Sequence, residues 1–192
     1  MSETQPSPKR VLIGIIVVLL AAVVAPSAAR AEERACRGAL NAVTVDNLRV
    51  PPNATCTLTG TFVKGTLKVE RNATLVARGV RVIGDVQAEN AANVVVNGGS
   101  RIGGSVQVKQ GGGASVTGSH ITGDIQYDAN KRRLIANDNR VGGSIQIVGN
   151  KGGAAIFRNR VIENLQCKQN RPAPTGSGNV VGGAKQDQCK RF

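Results

Sequence analysis

The sequence predicts an all-β fold, a single-chain parallel β-helix (β-solenoid) with about seven coils of 19–20 residues. Three observations support this fold class. A six-residue motif recurs at nearly constant spacing, apolar and polar residues alternate within it, and Gly, Asn and Asp cluster between the β-prone stretches. No helical periodicity follows the first 31 residues.

The repeated motif begins with an apolar residue, usually contains Gly-Asp or Gly-Ser, and usually ends with Gln. It occupies residues 63–68, 82–87, 102–107, 121–126, 141–146, 161–166 and 181–186, with an earlier copy at 44–49. Successive copies start 19 or 20 residues apart. A second β-prone stretch lies at 74–77, 94–96, 115–117, 134–136 and 155–157. So many matches in phase indicate a stack of similar coils.

The alternation within the motif predicts one strand with an apolar and a polar face. Val82 and Val86 would face the core, and Ile83 and Asp85 would face solvent. A unit of this size cannot bury its own apolar face, but stacked copies pair in parallel about 4.8 Å apart and share a core. A coil of 19–20 residues favours a right-handed helix over the left-handed hexapeptide type.

The N-terminal segment has the features of an export signal. Lys9 and Arg10 precede an uncharged apolar run at 11–24, and small residues lead to a predicted cleavage site after Ala31. The alternative is a retained anchor, although the run is shorter than the roughly 20 residues of a membrane span. The sequence therefore predicts a signal peptide over 1–31 and a periplasmic or extracellular protein.

The four cysteines mark the two ends of the repeat. Cys36 and Cys56 are 20 residues apart and Cys167 and Cys189 are 22 apart, about one coil in each case, which predicts two disulfides. The predicted organisation is an N-terminal cap at 32–43, solenoid repeats at 44–180 and a C-terminal cap at 181–192. The absence of CxxC pairs and the single histidine argue against a metal site, and no cofactor is predicted.

The charge balance points to anionic partners. The chain carries a formal net charge of +13. Removal of residues 1–31 leaves 22 basic and 11 acidic residues, a net charge of +11. An exported basic protein fits an anionic polysaccharide or another envelope polymer, whereas no motif indicates nucleic-acid binding. The alternative is that the charge only keeps a β-rich protein soluble.

Stacking converts repeated positions into columns, and one column is basic. It contains Arg81, Arg101, His120, Arg140 and Arg160, which we term the basic column. Two like charges 4.8 Å apart in water repel by only about 0.9 kcal/mol, so the column is tolerable without a ligand. The two interpretations are an anion-binding ladder and a solvated face.

Two polar columns have structural interpretations. The first alternates acidic and hydroxyl groups, which keeps like charges two coils apart: Asp85, Ser105, Asp124, Ser144 and Asn164. The second is a glutamine column, in which stacked amides are predicted to hydrogen-bond along the ladder: Gln87, Gln107, Gln126, Gln146, Gln166 and Gln186.

The coil pattern over residues 44–189 resembles the right-handed parallel β-helices of the pectate-lyase-like group. This resemblance implies a polysaccharide lyase or hydrolase as one possible function. The nearest constellation is Asp85, Asp124 and His120, with Arg101 and Arg140 beside them. The paired-Asp, Gly-His-Gly and Arg-Ile-Lys segments of the hydrolases are missing, as is an acidic cluster to hold calcium.

The sequence thus predicts a non-enzymatic exported β-solenoid that is structural or binds an anionic polymer through the basic column. A small polysaccharide lyase or hydrolase is the alternative. The Gly-x-Ile-x alternation is also similar to bactofilins, which polymerise end to end. The cysteine pairs predicted at both ends favour a monomer instead.

Overall fold

The structure, a computed structural model, describes residues 1–3 and 32–192. Residues 32–192 form an all-β, single-chain parallel β-solenoid of about eight turns, and no helix occurs among them. The predicted export signal and its cleavage site after Ala31 lie outside the described residues. Within the described part, no helix is long and apolar enough to span a membrane.

Each coil contributes one strand to each of three parallel sheets. Sheet A has nine strands: β1 (Glu33–Ala35), β4 (Asn47–Val50), β7 (Leu67–Val69), β10 (Val86–Glu89), β13 (Val106–Lys109), β16 (Ile125–Asp128), β19 (Ile145–Val148), β22 (Leu165–Lys168) and β25 (Lys185–Asp187). Sheet B has eight: β2 (Gly38–Asn41), β5 (Thr55–Thr59), β8 (Thr74–Arg78), β11 (Asn93–Asn97), β14 (Gly113–Thr117), β17 (Leu134–Asn137), β20 (Ala154–Phe157) and β23 (Thr175–Ser177). Sheet C has eight strands of two residues: β3 (Thr44–Val45), β6 (Phe62–Val63), β9 (Arg81–Val82), β12 (Arg101–Ile102), β15 (His120–Ile121), β18 (Arg140–Val141), β21 (Arg160–Val161) and β24 (Val180–Val181).

Two details differ from the sequence prediction. There are about eight turns rather than seven, because β1 and β2 pair with the sheets ahead of the first copy of the motif. The motif is also two strands and not one, since the chain bends between Val82 in sheet C and Val86 in sheet A. The alternation continues across the bend, so Val82 and Val86 are both buried as expected.

Two kinds of corner turn each coil. The A–B corner contains one residue in the left-handed region in most coils: Asn53, Asn72, Asn90, Gln110, Ala129, Gly149 and Gln169. Glycines supply the same conformation at many B–C corners, including Gly60, Gly79 and Gly118. These turns account for the Gly and Asn clusters of the sequence, because both residues tolerate positive φ.

The core is a set of stacked aliphatic columns. In sheet A, Val86 pairs with Val106, Val106 with Ile125 and Ile125 with Ile145, and all four side chains are fully buried. The pairing register is fixed because a slip of one residue would expose this whole set. The fold therefore places the remaining residues of each coil at fixed positions on the outer surface.

Buried asparagine columns line two corners of the C-terminal half. At the A–B corner, Asn150 Oδ1 accepts the Asn130 backbone N–H (2.8 Å), and Asn150 Nδ2 donates to the Tyr127 carbonyl (2.9 Å). Asn170 occupies the same position one coil later and repeats this pattern. At the B–C corner a matching column contains Asn139, Asn159 and Asn179. No buried side-chain nitrogen or oxygen within residues 32–192 lacks a hydrogen bond.

Both predicted disulfides are present. Cys36 is bonded to Cys56 and Cys167 to Cys189, with Cα–Cα distances of 5.7 and 5.2 Å. Each bond links neighbouring coils at one end of the stack, and all four sulfur-bearing residues are buried. Each closed loop of this length contributes roughly 3 kcal/mol by restricting the unfolded chain.

Candidate anion-binding face

The basic column is assembled in register along sheet C. Arg81 pairs with Arg101, Arg101 with His120, His120 with Arg140 and Arg140 with Arg160. All five residues occupy the outward position of their two-residue strands and are exposed, while the following Val or Ile is buried. Since parallel strands are about 4.8 Å apart, the column presents five basic groups at a regular spacing.

The basic column has no acidic partner within residues 32–192, where all four ion pairs involve other residues. Asp138 lines the same shallow groove as Arg101, His120 and Arg140. Arg158 occupies both of its carboxylate oxygens, with Nε–Oδ1 and Nη2–Oδ2 distances of 2.7 and 2.8 Å. This hydrogen-bonded pair holds the pKa of the Asp138 carboxyl below its usual value. The guanidinium groups of the basic column are therefore left to solvent or to a ligand.

The first member of the basic column is held by an aromatic ring. Phe62 precedes Arg81 in the same outward position, and the Arg81 guanidinium lies 5.2 Å from the centre of the ring. Such a cation–π contact leaves the edge of the guanidinium free to donate hydrogen bonds. Arg81 is thus oriented by Phe62 without being neutralised.

A strip of glycine, threonine and isoleucine residues runs beside the basic column. Two residues after each basic residue the chain carries Ile83, Gly103, Thr122, Gly142 and Ile162. A side chain at Gly103 or Gly142 would meet the carbonyl of the coil below, so these positions require glycine. Ile83 and Ile162 at the two ends of the strip are 47% and 59% exposed. Between the two isoleucines the strip carries only Gly103, Thr122 and Gly142, so an extended polymer chain could lie there beside the basic column.

The aspartate and serine column forms the bend between sheets C and A. Asp85 Oδ1 accepts the Ser105 N–H (2.7 Å), Ser105 Oγ accepts the Asp124 N–H (3.0 Å), and Asp124 Oδ1 accepts the Ser144 N–H (2.7 Å). Ser144 Oγ and Asn164 Oδ1 continue the pattern. The glycine before each serine is required, because a side chain at Gly104 would collide with the Asp85 carboxylate and one at Gly143 with the Asp124 carboxylate. The side-chain oxygens of this column therefore bond the bend of one coil to the next, in addition to the predicted separation of like charges.

The predicted hydrogen bonding between stacked glutamines is wrong. The glutamines do lie in register, from Gln87 to Gln186. None of them donates to the next within the described residues; Gln87 and Gln126 donate instead to Asp85 Oδ2 (3.2 Å) and Asp124 Oδ2 (3.1 Å). Stacked-amide hydrogen bonds occur instead between asparagines, in both buried columns and between the exposed Asn72 and Asn53 (2.9 Å).

The residues of the enzymatic alternative are not assembled into a cluster. Both oxygens of Asp85 and of Asp124 accept hydrogen bonds from the bend and from glutamine. His120 lies on sheet C, before the bend, and makes no side-chain hydrogen bond to either aspartate in the described structure. No group of three or more metal-ligating side chains occurs within residues 32–192.

Sequence reasoning missed a second basic surface at the A–B corner of the C-terminal coils. It consists of Lys131, Arg132, Arg133, Lys151 and Arg171, which we term the corner cluster. All five are exposed. The run of three basic residues at 131–133, and basic residues 20 positions apart at 131, 151 and 171, could have revealed it.

Comparison of the chain with protein-family models, with curated proteins and with solved structures gives no match. Functional assignment therefore depends on the geometry of the solenoid surface.

Proposed function

We propose that this protein is a non-enzymatic, exported β-solenoid that binds an anionic polymer along the basic column. The observation that carries the proposal is the in-register stack from Arg81 to Arg160, exposed and without an acidic partner in the described chain. Four arginines and one histidine at one spacing match a polymer that repeats a negative charge. A single small anion would need only one or two of them.

Arginine suits this role better than a general positive charge would. Its planar guanidinium donates two parallel hydrogen bonds to a carboxylate or a phosphate. Because β-strand pairing fixes the backbone spacing, the ligand does not have to order the protein when it binds. The adjacent strip at Gly103, Thr122 and Gly142 leaves room for the polymer backbone beside the charges.

Export is supported by the two disulfides and by the N-terminal sequence. Disulfides that persist are typical of oxidising compartments, such as the periplasm or the cell exterior. In such a compartment the polyanions within reach are uronate-containing polysaccharides and phosphate-containing envelope polymers. Both present the anionic oxygens that the basic column would bind.

The proposal is tested by binding measurements on the protein without its first 31 residues, using polygalacturonate and polyphosphate as probes. We expect binding at low salt, and the logarithm of the association constant should fall linearly with the logarithm of the salt concentration. The double variant Arg101→Ala/Arg140→Ala should weaken binding and lower the salt slope by roughly one for each contact removed. The control Arg34→Ala/Arg37→Ala removes the same charge from the exposed N-terminal end and should bind almost normally.

Two results would overturn the proposal. One is the lack of binding to either polymer at low salt. The other is equal weakening by the two double variants, because binding would then follow net charge rather than the basic column. A preference for one probe would identify the anionic group that the column accepts.

A further inference from the structure

The corner cluster lies on the opposite side of the solenoid from the basic column. Each coil passes through sheet A, the A–B corner, sheet B, the B–C corner and sheet C in turn. The A–B corner is therefore the vertex that faces away from sheet C, and Arg140 and Lys151 belong to different sides of the same stack. A polymer chain lying along sheet C does not cover the A–B corner.

The backbone of the corner cluster is fixed by the buried asparagine column. The N–H of Lys151 donates to the Asn130 carbonyl and that of Arg171 to the Asn150 carbonyl, both at 2.8 Å. Each asparagine of the buried column at this corner is followed directly by a basic residue. These basic residues are therefore stacked one coil apart: Lys131, Lys151 and Arg171. Three basic groups thus repeat at the same spacing as those of the basic column.

Glycines leave the other basic side chains of the corner cluster uncovered. Arg132 lies between Gly112 of the coil below and Gly152 of the coil above. A side chain at Gly152 would collide with the backbone of Arg132, so glycine is required there. No side chain from either neighbouring coil position can cover the Arg132 guanidinium.

The positive charge is confined to the C-terminal half of this corner. Segments 130–133, 150–153 and 170–174 contain five basic residues and no acidic residue. The equivalent segments of the two preceding coils, 91–93 and 111–113, contain no charged residue. No ion pair within residues 32–192 involves the corner cluster. No acidic residue within these three segments relieves repulsion among the five basic residues, and the nearest one along the chain, Asp128, ends the preceding strand.

We infer that the protein is bivalent for polyanions, with the basic column and the corner cluster each binding a separate chain, so that one molecule bridges two polymer chains. This inference rests on the proposed function for the first site and adds a second site. The corner cluster takes the same ligand class, a polymer carrying carboxylate or phosphate groups. A rigid stack with binding surfaces on opposite sides is suited to non-covalent cross-linking, because one chain covers only one surface.

A sandwich binding assay tests the bridge. Polygalacturonate is immobilised on a sensor, the disulfide-intact protein is captured, and soluble polygalacturonate is injected as the second layer; polyphosphate is tested in the same way. Wild-type protein should bind the second layer. The variant Lys131→Ala/Lys151→Ala should still be captured, with its affinity for a first chain reduced less than about threefold, but should not bind the second layer. The control Arg34→Ala/Arg37→Ala should bind both layers.

The possible failures distinguish the two sites. A second layer on Lys131→Ala/Lys151→Ala equal to that on wild type would overturn the corner site. Capture of wild type without any second layer would overturn bivalency and leave the basic column intact. Normal binding of both layers by Arg101→Ala/Arg140→Ala would overturn the proposed role of the basic column itself.

Discussion

The stacked polar side chains inside this solenoid differ from those on sheet C in whether they have partners. Inside, Asn130, Asn150 and Asn170 form a column in which each amide bonds to the backbone and to the next amide. Outside, Arg101, His120 and Arg140 repeat at the same spacing of one per coil, and no acidic residue of the described chain pairs with them. The inner column is accounted for by folding, and the outer one is not. A repeated residue that the fold does not need is the best candidate for a binding surface.

Removing an amide from the buried asparagine column should cause the largest loss of stability. Asn150→Ala removes the acceptor of the Asn130 N–H and the donors to the Tyr127 carbonyl and to Asn170 Oδ1. Since each buried group left unpaired loses about 1–3 kcal/mol, we expect a loss of roughly 3–5 kcal/mol in the free energy of unfolding. The control Gln107→Ala changes an outward side chain without hydrogen bonds and should stay within about 0.5 kcal/mol. Urea unfolding measures both; equal losses would contradict the account.

The ionisation of the buried Tyr127 shows whether water reaches the core. Tyr127 is fully buried, its hydroxyl donates to the Ile135 carbonyl (2.9 Å), and burial raises the pKa of the phenol far above its usual value of 10. The unfolded chain loses this proton above pH 10 and the folded chain does not. Stability is therefore fully present below pH 10 and falls by about 1.4 kcal/mol for each pH unit above it.

Because Tyr127 is the only tyrosine of the chain, phenolate absorbance follows this one group. The absorbance should appear only when the protein unfolds. Tyr127→Phe should remove this part of the alkaline loss of stability. Ionisation near pH 10 in the folded protein would show that water reaches the core.

A smaller loss is expected at the bend between sheets C and A. Asp124→Ala removes the acceptor of the Ser144 N–H, a part-buried hydrogen bond, and should lower stability by about 1–2 kcal/mol. Asp124→Asn keeps an oxygen at this position and should lose much less. Thermal unfolding of both variants, with exposed Asp128→Ala as the control, tests this structural role. Equal behaviour of Asp124→Ala and Asp128→Ala would show that the bend does not depend on the carboxylate.

The smallest effect is expected from the outer column. Arg101→Ala/Arg140→Ala removes two exposed like charges that have no partner in the described chain, so the free energy of unfolding should change by less than about 0.5 kcal/mol. At low salt the change should be towards greater stability, because repulsion within the basic column is relieved. Denaturant titrations at low and high salt measure it. A loss comparable to that of Asn150→Ala would mean that the arginines serve the fold.

The sequence allowed the architecture to be predicted because the repeat is visible as spacing. The 19–20-residue period located the coils, the register of the basic column and both disulfides. It could not show that the chain bends within the motif, because Val82 and Val86 stay on the buried side whether or not a bend separates them. At the bend, Asp85 accepts a hydrogen bond from the Ser105 N–H of the next coil, which is a contact between coils and not a local preference.

The two amide columns show a second limit. Glutamines 19 or 20 residues apart and asparagines 20 apart give equally regular patterns, and spacing alone does not say which column is buried. An amide inside the fold must find a protein partner, whereas an exposed one can bond to water, so exposed amides pair in some coils, as Asn72 does with Asn53, and not in others. The corner cluster lies outside the repeated motif, in the corners between its copies, so the motif does not predict it.

The most direct test of the central claim measures which arginines a polyanion covers. The protein is treated with an arginine-specific reagent such as phenylglyoxal, with and without polygalacturonate or polyphosphate, and modification is followed residue by residue by mass spectrometry. The account predicts that polymer slows modification of Arg101, Arg140 and Arg160, while exposed Arg34 and Arg37 react at unchanged rates. Equal rates at the basic column with and without polymer, under conditions where the polymer is bound, would contradict it.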